Sequence, residues 1–173
     1  MNVTLRPRRW IFTATLGVAL ATGLLVTEAA AGRGDKVSAT VNGHRIRLRR
    51  KRVCDGYSTA GFSFAGGQKA RRLGQTVRSL ALACVVDLTT TTFPVSPDIC
   101  MMSYLQLTVA PGAPAKEFLG STPDIQVTFE SFVGTRLQGT FSGTLQALPA
   151  GSGAPATVTN GKFSLVLEGE LCT

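Results

Sequence analysis

The side chains with the most chemical reach in this chain lie in one run, Arg45-Ile-Arg47-Leu-Arg49-Arg50-Lys51-Arg52. A guanidinium is planar, stays charged and donates in pairs, so arginines in number suit phosphate and sulfate oxygens. Lys69, Arg71, Arg72 and Arg78 follow a little further on. Residues 33–78 hold twelve Lys or Arg against Asp35 and Asp55 alone, whereas residues 79–173 hold three against seven acids. Such asymmetry makes a field that draws anions toward the first half of the chain. The candidate polyanion-binding residues are therefore Arg45, Arg47, Arg49, Arg50, Lys51 and Arg52. The partners they fit are an anionic glycan, lipopolysaccharide phosphates or extracellular DNA. No aromatic is interleaved to stack on bases, so specific reading of nucleic acid is not expected. A basic run also serves as a solvated edge that keeps sheets from pairing end to end.

Cysteine is the second reactive type. Cys54, Cys84, Cys100 and Cys172 give an even count, which in an exported chain suggests two disulfides. Of the three possible connectivities we favour Cys84–Cys100 and Cys54–Cys172. The first would join neighbouring strands, and closing a loop of that length is worth about 3 kcal/mol on the chain-entropy model. The second would tie the C-terminus to the early strands. Zinc is not favoured, since no C-x-x-C pair exists and His44 is the only histidine.

Catalytic patterns are thin. A Ser-His-Asp or Cys-His arrangement needs a histidine base, and His44 sits beside a tight turn. Gly61-Phe-Ser63-Phe-Ala65 and the surroundings of Ser142 have the look of nucleophile elbows, but an elbow requires a helix to follow the serine. Neither a phosphate-binding loop nor a metalloprotease helix motif is present. We expect no enzyme and no cofactor. A carboxylate- or serine-dependent hydrolase and a structural or adhesion module are the alternatives.

Positioning such residues falls to the rest of the chain. Arg6, Arg8 and Arg9 precede the uncharged, mostly apolar stretch Trp10 to Val26, and Thr27-Glu-Ala-Ala-Ala31 follows. That order reads as a helical signal peptide over residues 1–31, cut before Gly32, and so as a secreted or periplasmic protein; an uncleaved anchor is the competing reading. Residues 32–173 then form a single domain. Within it, Arg33-Gly34-Asp35 reads as part of a short polar lead.

The domain is written in strands. Leu137 to Leu145 alternates strictly, with Leu137, Gly139, Phe141, Gly143 and Leu145 on one parity and polar residues on the other. Period two over such a run marks a strand with one buried and one wet face. Asn42-Gly43 and Asn160-Gly161 are the strongest two-residue hairpin signals. The first sets Val41 against His44, Ala39 against Ile46 and Val37 against Leu48. The second sets Val158 against Phe163 and Ala156 against Leu165. Cys54 to Gly67 is a further β region. Gln75 to Leu88 places Leu80, Leu82, Cys84, Val86 and Leu88 on one face, with Ala81, Ala83 and Val85 making the other apolar too. It reads as a central strand or one crossing between sheets, with a helix over Val77–Val86 as the alternative. Met101 to Val109 should turn Leu105, Leu107 and Val109 inward and Tyr104 outward. Ala110 to Pro123 reads as a loop, and Asp124 to Phe132 as a strand with Ile125, Val127 and Phe129 inside. The expected fold is all-β: an antiparallel β-sandwich or closed barrel of about eight strands, preceded by the signal-peptide helix.

Three segments occur in order along the domain: Ala39-Thr-Val-Asn-Gly43, Gly139-Thr-Phe-Ser-Gly-Thr-Leu145 and Thr159-Asn-Gly-Lys-Phe163. In this the chain resembles a loose group of small, uncharacterised bacterial secreted proteins and lipoproteins. The resemblance implies an exported β-sandwich and brings neither an activity nor site residues. The chain departs from the group in lacking a lipobox cysteine and in its arginine-rich second strand.

Overall fold

The computed structural model describes residues 35–49, 53–58 and 60–167, and of Cys54 the backbone alone. The signal-peptide segment, Arg50, Lys51, Arg52 and the Cys54–Cys172 pairing lie outside what is described. No helix among the described residues is long and apolar enough to cross a membrane.

The described residues form ten strands: β1 (Lys36–Val41), β2 (His44–Arg49), β3 (Val53–Ser58), β4 (Gly61–Gly67), β5 (Thr76–Cys84), β6 (Cys100–Thr108), β7 (Ala115–Ser121), β8 (Ile125–Val133), β9 (Arg136–Leu148) and β10 (Ala156–Val166). All pairings are antiparallel, in the order β2-β1-β10-β9-β7-β6-β5-β4-β3, with β8 on β9 as well. The expected eight strands are thus ten, in one sheet curled into a half-barrel. β9 makes the curl. One edge pairs with β10; the other pairs with β8 from Arg136 to Gly143 and with β7 from Gln146 to Leu148. We call β2, β1, β10, β9 and β8 the first limb and β3 to β7 the second.

The concave side holds the core. Phe62 and Phe64 of β4 meet Phe129, Phe141 and Phe163 of the first limb. Centroids lie 5.3 Å apart for Phe62–Phe129, 5.6 Å for Phe62–Phe163 and 6.0 Å for Phe64–Phe141. Each fully buried ring or leucine stabilises by about 2 kcal/mol. Glycines on β9 and β10 make room for this cluster. Phe163 pairs with Gly139 and Phe141 with Gly161. A Cβ at Gly139 would strike the Phe163 ring and the Thr128 carbonyl, and one at Gly161 would strike the Phe141 ring. Two of the small residues in the alternating sequence are therefore seats for aromatic rings.

The first Asn-Gly pair makes the expected turn. Asn42 has φ 47° and Gly43 φ 78°, the left-handed pair that a tight hairpin requires. The three expected cross-strand pairs are present, and Val37, Ala39, Val41, Ile46 and Leu48 are buried. The second pair makes no turn. Asn160 has φ 52°, Gly161 is not left-handed, and β10 runs straight through. The ladders slip there instead, between Val158 and Gly161 against β9 and between Ser38 and Thr40 against β1. One left-handed residue gives a bulge, two give a reversal. A reversal would also forfeit the hydrogen bonds of a strand paired on both edges. Val158 and Phe163 are accordingly not opposite one another, although both are buried.

β6 faces the other way from expectation. Tyr104 is buried at 2 % exposure, while Leu105 and Leu107 are half-buried on the convex side. The cause is the Cys84–Cys100 disulfide, present as expected between directly paired residues with Cα atoms 4.1 Å apart. Cys84 shares the inward parity of Leu80 and Leu82, so Cys100, Met102 and Tyr104 must point inward too. Within the expected loop Ala110 to Pro123, Ala115–Ser121 is strand β7, which pairs with β6 and buries Phe118. The disulfide fits an oxidising compartment.

Candidate functional site: the convex face of the first limb

β2 is an end strand, and its burial alternates. Ile46 and Leu48 face the core; Arg45, Arg47 and Arg49 are exposed on the convex side. Alternate residues of a strand lie about 7 Å apart, so the three guanidinium stems form a ladder. His44 was expected on the inward parity and is exposed beside the turn.

The register carries the basic face across neighbouring strands. Arg45 is opposite Thr40, Arg47 opposite Ser38 and Arg49 opposite Lys36. Ser38 in turn is opposite Lys162, Lys36 opposite Ser164 and Thr40 opposite Thr159. Lys162 is opposite Thr140 and Ser164 opposite Gln138. Arg136 Nη1 reaches the same face, donating to Ser164 Oγ at 3.0 Å. The convex side is thus a lattice of Arg and Lys separated by Ser, Thr and Gln, without an acid at any of these positions. Glu130 sits at the β8 bulge, the lattice's far border. Lys36 and Arg49 are like charges directly opposite one another, an arrangement that costs a few tenths of a kcal/mol until an anion screens it. A shallow depression of about 260 Å³ lies here, lined by Lys36, Ser38, Arg45, Arg47 and Arg49 with Val37 and Leu48.

Sequence reading found the β2 arginines and missed Lys36, Lys162 and Arg136. Lys36 was legible, because extending the Asn42-Gly43 hairpin by one step pairs it with Arg49. Lys162 and Arg136 become neighbours only through the β1–β10 pairing, which joins residues far apart in the chain. Lys69, Arg71 and Arg72 are exposed on the β4–β5 connection, and Arg78 shares the inward parity of Leu80 and Leu82.

Other candidates are dispersed. Ser63 lies within β4 and Ser142 within β9, opposite Gly56 and Gln126 respectively, so neither occupies an elbow. Among the described residues no group of three or more His, Cys, Asp or Glu could hold a metal ion. Asp35 belongs to the structure rather than to a polar lead: it is buried at 1 % exposure and accepts the Val166 N–H at 2.8 Å. Asp87, on the exposed turn after β5, is held below the usual carboxylate range by hydrogen bonds from Thr89, chiefly its hydroxyl at 2.6 Å.

Fold and face together define an antiparallel β-domain with a cationic, hydroxyl-bearing sheet surface. No protein-family model matches the chain, and no curated protein or solved structure matches it significantly.

Proposed function

We propose that the protein is a secreted or periplasmic, non-enzymatic β-sandwich-like domain of the bacterial envelope that binds an anionic polymer through the convex face of its first limb. The supporting observation is the register that aligns Arg45, Arg47 and Arg49, sets Lys36 opposite Arg49 and places Lys162 beyond Ser38 from Arg47. The ligand is a sulfated or phosphorylated glycan, such as the phosphate-bearing sugars of lipopolysaccharide. Its anionic groups lie along the ladder and its hydroxyls meet Ser38, Thr40 and Thr159. Arg50, Lys51 and Arg52 extend the same charge along the chain.

The test is retention on immobilised heparin. The full domain is expected to elute at a salt concentration that falls sharply in Arg45→Ser/Arg47→Ser/Arg49→Ser, because each lost contact releases fewer counterions. A matched variant, Lys69→Ser/Arg71→Ser/Arg72→Ser, removes as much charge from the β4–β5 connection and is expected to elute near the wild type. Equal losses in the two variants would reduce the interaction to net charge and end the proposal.

A further inference from the structure

The concave face carries a second constellation, at the end of β5 and β6 away from the disulfide. Inward positions there change from apolar to polar. Leu80 and Tyr104 form the last apolar row; Arg78 with Gln106, and then Thr76 with Thr108, follow. β7 adds Lys116 opposite Gln106. The two rows hold cations, amides and hydroxyls, and no acid.

The groups are already oriented. The Tyr104 hydroxyl donates to Gln106 Oε1 at 3.3 Å. With that oxygen occupied, the Gln106 amide NH2 remains available as a donor. The Thr76 and Thr108 hydroxyls are 3.3 Å apart. Arg78 lies near enough to the Tyr104 phenol to pull its pKa down. Its Nε is out of solvent with no hydrogen-bond acceptor. A charged donor held in that way is costly, and an anion set against the outer Nη1–Nη2 edge, which also matches two oxygens of a carboxylate, phosphate or sulfate, offsets part of that cost. Burial pushes the Tyr104 phenol up, against the pull of Arg78, so the phenol stays neutral and does not serve as the anion itself. Lys69, Arg71 and Arg72 are exposed on the adjoining connection. That connection is pinned to the end of β6 by the Gly74 N–H on the Val109 carbonyl at 2.7 Å.

We propose that this end of the concave face is a binding site for one small oxyanion, with Arg78 as the forked donor and Gln106, Thr76 and Thr108 completing its shell. The site is separate from the convex ladder: it takes a single sulfate, phosphate or carboxylate group, free or at the end of a larger molecule. A cation is excluded by Arg78 and Lys116.

The experiment is calorimetric titration of the full domain with inorganic sulfate, phosphate and acetate, at ionic strength held constant with chloride. One saturable site is expected for at least one of them. Its dissociation constant should rise at least tenfold in Arg78→Gln and stay within twofold in Arg45→Ser/Arg47→Ser/Arg49→Ser. An independent readout is the alkaline absorbance titration of Tyr104, identified by its loss in Tyr104→Phe. Bound anion cancels the pull of Arg78, so the phenol should ionise at higher pH when the site is filled. Absence of saturable heat with all three anions overturns the proposal, as does unchanged binding in Arg78→Gln. Should Arg78→Gln fail to fold, Gln106→Leu decides: it leaves the charge in place, and binding weakened at least threefold supports the site, while unchanged binding overturns it.

Discussion

The two limbs share one core and differ on their backs. The convex side of the first limb sets Arg45, Arg47, Arg49, Lys36 and Lys162 among Ser, Thr and Gln. The convex side of the second limb sets Ala65, Ala81, Ala83, Ser79 and Ser103 beside Leu105, Leu107 and Leu119. At its disulfide end Val85, Ile99 and Met101 stand exposed, the first two joined by a hydrogen bond from the Val85 N–H to the Ile99 carbonyl at 2.9 Å. One limb has a wet back; the other, apart from Glu117 on its back and the polar rows of Arg78 with Gln106 and Thr76 with Thr108 on its front, carries small and apolar residues on both faces. A strand with a wet back declares its inner face through alternation alone. A strand with an apolar back needs something else to orient it.

The sharpest way to break this contrast is on β6, where neighbours should behave oppositely. Tyr104→Ala is expected to cost about 4 kcal/mol, as for a buried aromatic. Leu105→Ala, beside it on the half-buried back, should cost about 1 kcal/mol. Chemical denaturation of both variants measures the difference, and a reversed order would mean that β6 faces outward. Removing the covalent orienting device, by Cys84→Ala/Cys100→Ala, should cost about 3 kcal/mol. Loss of one phase of a two-phase melt, rather than a shift of the whole melt, would show the limbs to be independent.

On the first limb the seats under the rings should matter more than the charges above them. Gly161→Ala is expected to cost about 2 kcal/mol through overpacking against Phe141. Arg47→Ser should change stability by less than about 0.5 kcal/mol, as an exposed position does. The pH dependence separates the limbs further. The folded state raises the Tyr104 phenol above its ordinary value, so the folded form holds its proton longer than the unfolded chain does. Stability is then fully present below the unfolded value and declines as pH rises through the folded one. Denaturation midpoints across pH 9 to 12 should fall less in Tyr104→Phe than in the wild type.

The same contrast explains what could be read in advance. β1, β2, β8 and β9 were legible because Val37 to Leu48, Ile125 to Phe129 and Leu137 to Leu145 alternate cleanly. β6 was legible as a strand but not in its facing, because Leu105 and Leu107 make its back as apolar as its front; only the Cys84–Cys100 pairing tells them apart. β7 escaped notice because Ala115-Lys-Glu-Phe-Leu-Gly-Ser121 is short and sits between Pro114 and Pro123. The Asn160-Gly161 bulge was read as a hairpin since local chemistry fits both. Its choice depends on β1 and β9 lying on either side, which is long-range information. Of the candidate sites, the arginine ladder was visible as a run, while its flanking lysines and the Arg78 constellation depend on strand order.

β9 carries a mechanical consequence. Arg136–Leu148 is hydrogen-bonded to β10 along one side and to β8 and then β7 along the other, so it is the common seam of both limbs. Neither half can peel away without tearing that seam, and the domain should melt in a single step. Amide protons between Leu137 and Ala147 should be the last to exchange with heavy water.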